Sequence, residues 1–558
     1  MRLRFLGIVW FILVILSECP AIGGATSYLP VSHRVYDFLE RMEHLEVLPG
    51  AHLGAKPLTR AEVARLLFSI PNDSNWLTDN EIDEMRYLRA EFKNDFFDNN
   101  RLAWDDRGPV EHIPNFLKGF VYRNRRNLYS SNGENYSLYF DPVIVREASL
   151  GKEHITSKDD NVYTFSNGFK IRGTVGDHMG FDIDVRDSKE FGSRDYSDDT
   201  IRTMPGRGWV TSKGDHVEFD ETSAHIAYTN GPFTVMYGRG KNIWGRGQSG
   251  TLALSEYSSP YDMLRLETDF WKLKFIFFAA EIEQQPSVAY NYFNDSMSGV
   301  SDSVMVKKRM TGHRVELNLT ERINVGLYEN VVYAGRWDWS YLNPVMFLKG
   351  AEHNNGDHDN AFMGMDFRII PHHAHSIYGE FLIDDITTTK LGTDWYGNKL
   401  AFQIGTFLVM PFGLRDVDAR IEYTRIKPWV YTNRIKYNAY THYGDIIGHP
   451  LGPNSDEIFM QFRKRFSWRF HTALTFARIR HGANPDGINV GGDPLVGYKD
   501  GDSKTSKFLA GDLETSKRIS LDMSYELLWE LFLRIGYSYD DFNGDSTNIY
   551  RFSLGLNQ

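Results

Sequence analysis

From about residue 110 onward, apolar and polar side chains alternate with a period of two. In "SKRISLDMSYELL", Ile519, Leu521, Met523, Tyr525 and Leu527 share one face, and Arg518, Ser520, Asp522, Ser524 and Glu526 the other. "DVDARIEYT" sets Val417, Ala419, Ile421 and Tyr423 against Asp418, Arg420, Glu422 and Thr424. "FDIDVRD" and "HRVELNLT" repeat the pattern around Ile183 and Leu317. Successive side chains of a strand point to opposite faces, so each segment predicts a strand with one apolar and one polar side.

Alternation fits any half-buried strand, but the spacing of the segments narrows the choice. They run to about ten residues and recur in pairs. Short turns fall near 176–180, 230–232, 269–271, 320–322, 371–375, 411–414, 464–468 and 528–530. Long polar connections fall near 187–217, 240–261, 284–311, 335–359, 385–398, 433–456 and 481–515. Short turns on one side and long loops on the other are the signature of a transmembrane antiparallel β-barrel. Counting from a first strand at about 135–149 to a last at about 548–557 gives about 18 strands, the even number that bacterial barrels use. The stretch "FLKGFVYRNRR" (116–126) would make the count odd and is assigned to the turn side or the lumen. No repeat of ~40–50 residues with a common motif supports a propeller.

Residues 31–97 follow a different period. Val35, Phe38, Leu39, Met42 and Leu45 form one helical stripe. Thr59 with Glu62, and Thr78 with Glu81, have capping-box spacing ahead of apolar runs. Three short helices are expected, forming a small satellite bundle. The domain expectation is a signal peptide at 1–25, a periplasmic helical domain at 26–110 and the barrel at 111–558.

The signal peptide rests on Arg2 and Arg4, an apolar run from Phe5 to Leu16, and small Gly23 and Ala25 before a cut near Ala25. Cys19, the only cysteine, lies inside it; Glu18 stands where a lipoprotein needs a small residue. The mature chain therefore lacks thiols for disulfides or metal ligation. A net charge of −11 argues against nucleic-acid binding. Aromatic content of 14% suits the girdles of a barrel, and cell outer membrane is the expected location. The last strand alternates through Tyr550, Phe552, Leu554 and Leu556 but ends in Asn557–Gln558, where such barrels usually finish on an aromatic residue.

The stretch "YGRGKNIWGRGQSGTLALSEYSSP" (237–260) combines glycines with Arg239, Lys241 and Arg246. A phosphate loop needs a helix after the glycines, and none is patterned before Pro260; no Gly-Lys-Ser/Thr occurs. The segment is expected in an extracellular loop or folded back into the barrel mouth. "PHHAH" and "EHNNGDHD" lack catalytic-zinc spacing on a helix, and no Gly-x-Ser-x-Gly elbow is present. No cofactor, metal or enzymatic activity is expected.

"IWGRGQSGTLALSEYSSPYDMLRLE" resembles the signature stretch of the capsule-assembly Wzi family of outer-membrane proteins. "WDWSYLNPVMFLKGAEHNNGDHDNAFMGMDF" (337–367), "YGEFLIDDI" and the N-terminal helical stretch are similar to further family blocks, in the same order. The resemblance implies a lectin-like barrel that anchors capsular or extracellular polysaccharide, set in outer-membrane lipid, with the polysaccharide export machinery as a further partner. Sugar rings stack on aromatic faces, and arginines suit uronate carboxylates. Loop residues of those types are Arg207, Trp209, Arg239, Trp244, Arg246, Arg336, Trp337, Trp339, Asp394 and Trp395. The charged inner face (Asp182, Asp184, Arg265, Glu267, Arg314, Glu316, Asp418, Arg420, Glu422) leaves two readings open: a channel for polysaccharide or small solutes, or pairing across a filled barrel.

Overall fold

The computed structural model describes residues 24–72, 76–95, 126–152, 159–196, 201–204, 206–283, 290–295, 300–304 and 307–557. The leader and nearly all of 116–126 lie outside them.

Eighteen antiparallel strands close a barrel. The first six are β1 (Tyr136–Leu150), β2 (Val162–Val175), β3 (Met179–Tyr196), β4 (Gly214–Asn230), β5 (Phe233–Gly240) and β6 (Tyr261–Phe270). Next come β7 (Leu273–Ile282), β8 (Lys308–Thr320), β9 (Ile323–Ala334), β10 (Asn360–His372), β11 (His375–Asp385) and β12 (Lys399–Val409). The circuit ends with β13 (Val417–Ile426), β14 (Ser455–Ser467), β15 (Phe470–Ala483), β16 (Asp512–Leu528), β17 (Leu531–Phe542) and β18 (Asp545–Leu556). Closure comes from β18 against β1, from Tyr550 opposite Leu150 to Leu556 opposite Ile144.

The alternation dictates which side faces outward. Ile421, Phe462, Leu474, Ile519, Ile535 and Phe552 are exposed on the outer wall, while Asp418, Arg420 and Glu422 between the first of them are buried inside. So many exposed apolar side chains would aggregate in water and belong against lipid tails. Tyr136, Tyr228, Phe233 and Trp271 stand exposed near the short-turn end. Those turns fall where the pattern places them. On the other side one connection is tight: β17 and β18 are joined by Asn543–Gly544, both at positive φ (53° and 95°), as a two-residue hairpin requires. Much of the loop expected at 187–217 is strand, because β3 runs on to Tyr196 and a small hairpin (Ile201–Met204, Gly208–Ser212) extends the wall.

Three helices precede the barrel: α1 (Val35–His44), α2 (Arg60–Ser69) and α3 (Asp79–Phe92). The stripe of α1 is fully buried. Thr78 and Glu81 make the complete capping box of α3. Thr59 accepts the Glu62 amide at 3.2 Å, but the Glu62 carboxylate goes to Lys274 Nζ of β7 at 2.8 Å and does not close the box. These helices are no satellite. They share an apolar cluster with Tyr378, Phe407 and Val409, with Ala374, Met410, Trp468 and Trp529 packed against it at the short-turn end.

Candidate functional site: a clamped lumen and an aromatic loop face

Most of the inward charges pair with one another or with the helices. Arg265 meets Glu267 at 2.8 Å, and Lys274 meets both Glu267 and Glu62 at 2.8 Å. Arg420 reaches Glu40 of α1 at 2.8 Å, Asp418 takes both Arg41 and Arg465, and Arg314 takes Asp366. Arg34 bridges Glu84 (2.9 Å) and Glu526 (2.8 Å). Buried charge is tolerable only when partnered, and the pairs made by Arg34, Glu40, Arg41 and Glu62 help set how the helical segment seats in the barrel.

The glycine-rich connection from β5 to β6 folds back through the lumen. Trp244 pairs with Ala55 as a two-residue strand, and the Gly245 amide donates to the Gly54 carbonyl at 2.9 Å. Two wall carboxylates then clamp consecutive amides. Glu422 accepts from Gln248 N (2.7 Å) and Ser249 N (3.0 Å); Glu380 accepts from Leu252 N (2.8 Å) and Ala253 N (3.0 Å) and from the Tyr328 hydroxyl (2.7 Å). Carbonyls of the segment are met as well: Gln403 donates to Gly250 O, Tyr431 to Leu252 O and Tyr440 to Ala253 O. The glycines are required by this crowding. A Cβ on Gly247 would lie 2.0 Å from the Gly250 carbonyl, and one on Gly245, at φ +119°, 2.8 Å from the Glu380 carboxylate.

A second connection, 427–454, lies over the first. Ser255 N donates to Ile447 O, and the Ser249 hydroxyl contacts His449 Nε2 at 3.4 Å. Burial pushes the His449 imidazole down to about 3, so it is neutral at ordinary pH. His442 is held the same way, also at about 3. Its Nδ1 accepts the Glu283 amide (2.9 Å), leaving Nε2–H to donate to the Pro260 carbonyl (3.3 Å). A cavity of about 650 Å³ lies between the helical segment (Arg34, Asp37, Glu84) and the wall, with Arg463, Asp522, Arg534 and Arg551 among its lining.

The ten shortlisted residues separate into three groups. Trp244 (0% exposed) and Arg246 are buried in the plug, Trp244 against Phe278 and Tyr328, Arg246 on Glu43 at 2.6 Å. Arg239 lies on the outer wall, paired with Asp262 at 2.9 Å. The other seven stand on the long-connection side. Trp339 is 86% and Trp337 50% exposed, with the Arg309 guanidinium 4.6 Å from the Trp337 ring. Arg336 is anchored on Asp359 at 2.7 Å. Trp209 meets Tyr443 edge-on, while Arg207 lies over Phe219 and binds Glu190 at 2.8 Å. Trp395 bridges to Thr505, and Asp394 beside it is exposed. Arg309 and Tyr443 complete these contacts and were not singled out from sequence. Neither was Glu380, whose signal is a carboxylate at an inward strand position inside "YGEFLIDDI".

Among the described residues, Glu352, His353 and Asp357 are the group of ligand-type atoms near enough to share an ion. They sit at α4 (Leu348–Asn354), within the histidine-containing stretch noted above.

A closed antiparallel wall, apolar outside and filled with paired charge inside, defines an outer-membrane β-barrel. The capsule assembly protein Wzi family matches residues 118–546. The chain belongs to that family. Its fold is similar to that of Wzi from Escherichia coli, an outer-membrane protein involved in group 1 capsule assembly and a carbohydrate-binding β-barrel. The two are 12% identical, with a TM-score of 0.55 over 95% of this chain and 99% of the other. OccD3 (OpdP) from Pseudomonas aeruginosa is similar at a TM-score of 0.44 and 10% identity, over 77% of this chain and 92% of that one. OccAB1 from Acinetobacter baumannii follows at 0.42 and 11%, over 79% and 97%. No curated protein matches the chain in sequence.

Proposed function

We propose that this barrel holds capsular or extracellular polysaccharide at the cell surface by binding it, without transforming it. The observation that carries the reading is the pair Trp337 and Trp339, exposed beside Arg309 and Arg336 on the long-connection side. Flat apolar faces stack on sugar rings, and guanidinium forks meet uronate carboxylates. Trp209 with Arg207, and Trp395 with Asp394, supply further contacts along the same side. In this reading the leader 1–25 is removed, 26–110 faces the periplasm, and the long connections face outward, where the export machinery delivers the polymer.

The test is W337A/W339A in cells and in a polysaccharide pull-down. Both side chains are exposed, so stability should move by less than about 0.5 kcal/mol. Polysaccharide binding should weaken by about 1–2 kcal/mol per ring, with polymer shed into the medium at unchanged synthesis. Unaltered binding and unaltered cell-attached polymer would remove the reading. The channel alternative requires the 241–260 segment to leave Glu380 and Glu422; silent planar bilayers count against it.

A further inference from the structure

The outer wall carries a basic sector that the polysaccharide reading does not use. On β13–β16, near their long-connection ends, Arg425, Arg478, Arg480 and Lys517 all point outward, in the same alternation as exposed Ile421, Leu474 and Ile519. They form two adjoining rows. Arg425 stands opposite Asp456, which stands opposite Arg480; one step toward the apolar band, Arg478 stands opposite Lys517. Directly opposed residues have Cβ atoms about 4.5–5.5 Å apart, so the cations lie close enough to engage one headgroup.

The sector keeps an excess of positive charge: Asp456 takes both nitrogens of one edge of Arg480, and Asp541 stands opposite Lys517, which leaves two carboxylates for four cations. Asp456 takes Arg480 through Nε (2.9 Å) and Nη2 (2.5 Å) and also accepts from Tyr423 at 3.1 Å, so the unpaired cations are Arg425 and Arg478. The Arg425 guanidinium lies 3.8 Å over Phe508, and its buried Nε has no hydrogen-bond partner. The Arg478 and Lys517 side chains are exposed and make no hydrogen bond or ion pair among the described residues, although Asp541 stands opposite Lys517 in the ladder. Elsewhere outward cations stand singly, each with a carboxylate or a neutral acceptor: Arg146, for instance, bonds Asn167 and two carbonyls. Arg239 is matched by Asp262 at 2.9 Å and Lys307 by Glu281 at 3.1 Å, while β3 and β4 present Asp187, Glu218 and Asp220 around a single Lys189.

We propose that this sector binds the phosphate groups of phosphorylated glycolipid headgroups in the leaflet on the long-connection side. Tyr423, Tyr537 and Tyr539 mark the interface level, and the cations sit beside them where headgroup phosphates lie. Free guanidinium donors favour phosphate through paired hydrogen bonds. The argument uses only the wall and stands apart from the sugar-binding reading.

The test is native mass spectrometry of the full barrel in a neutral detergent. The probes are phosphorylated lipid A, its dephosphorylated form, and inorganic phosphate alone. Phosphorylated lipid A should be retained and the dephosphorylated form should not. R478Q/K517Q should lower retention roughly thirtyfold, two surface cations' worth, with R425Q as an independent variant and K189Q unchanged. Equal retention of the dephosphorylated lipid, an unaltered double variant, or inorganic phosphate binding as well as the lipid would each overturn the proposal.

Discussion

Replacing Glu380 by alanine should release the plug. This carboxylate accepts two backbone amides of the 241–260 segment and the Tyr328 hydroxyl, at 2.7–3.0 Å. A buried donor left without its acceptor costs about 1–3 kcal/mol, three donors lose theirs here, and water filling the space left by the side chain returns part of that. A net loss of about 4 kcal/mol follows for the docked segment, or roughly a thousandfold rise in its undocked population. The intermediate case is E380Q. Glutamine keeps one acceptor oxygen for convergent donors but points an NH₂ at the Leu252 or Ala253 amide, so it falls between wild type and alanine. The assay is the labelling rate of a cysteine introduced as S249C, a buried plug position, by a water-soluble maleimide. The expected order is E380A fastest, then E380Q, then the parent. A rate in E380A within twofold of the parent would refute the clamp.

Three further outcomes follow from the same contacts. His442 and His449 have folded pKa values near 3, below their ordinary 6.5, so their neutral forms stabilise docking above pH 6.5. That contribution falls as pH drops from 6.5 toward 3, by roughly 2 kcal/mol per histidine at pH 5, and hydrogen exchange of the 427–454 amides should quicken accordingly. Glu43→Ala strands Arg246 and Arg368, which it binds at 2.6 and 2.9 Å, and should cost about 3–5 kcal/mol in a thermal-unfolding measurement. Gly247→Ala meets the Gly250 carbonyl head-on and should raise maleimide labelling of S249C without altering barrel assembly.

The wall was legible because period-two alternation and turn chemistry are local. Ile519 through Leu527 identify a lipid face whatever stands on the other side of the sheet, and Thr78 with Glu81 identify a helix start. The interior was less legible for a physical reason. An inward Glu looks the same in the sequence whether it meets water, as in a pore, or an amide from a segment more than a hundred positions away. Only barrel closure brings Glu380 to Leu252 and Glu43 to Arg246. Trp244 and Arg246 have the residue types of a sugar site, yet the backbone path through the lumen buries both. The Glu62 carboxylate shows the same effect at short range: a lysine from the wall outcompetes its own helix start.

The contact of Arg246 with Glu43 joins the glycine-rich crossing to the first helix. A polymer dragged by flowing liquid would haul on whatever surface grips it. Here that load would not end at a floppy ribbon. It would run through the crossing into the helix and the opposite rim, with many bonds strained together and none peeled away singly. If the barrel tethers polymer as proposed, it would act like a bollard set through the deck and bolted from beneath.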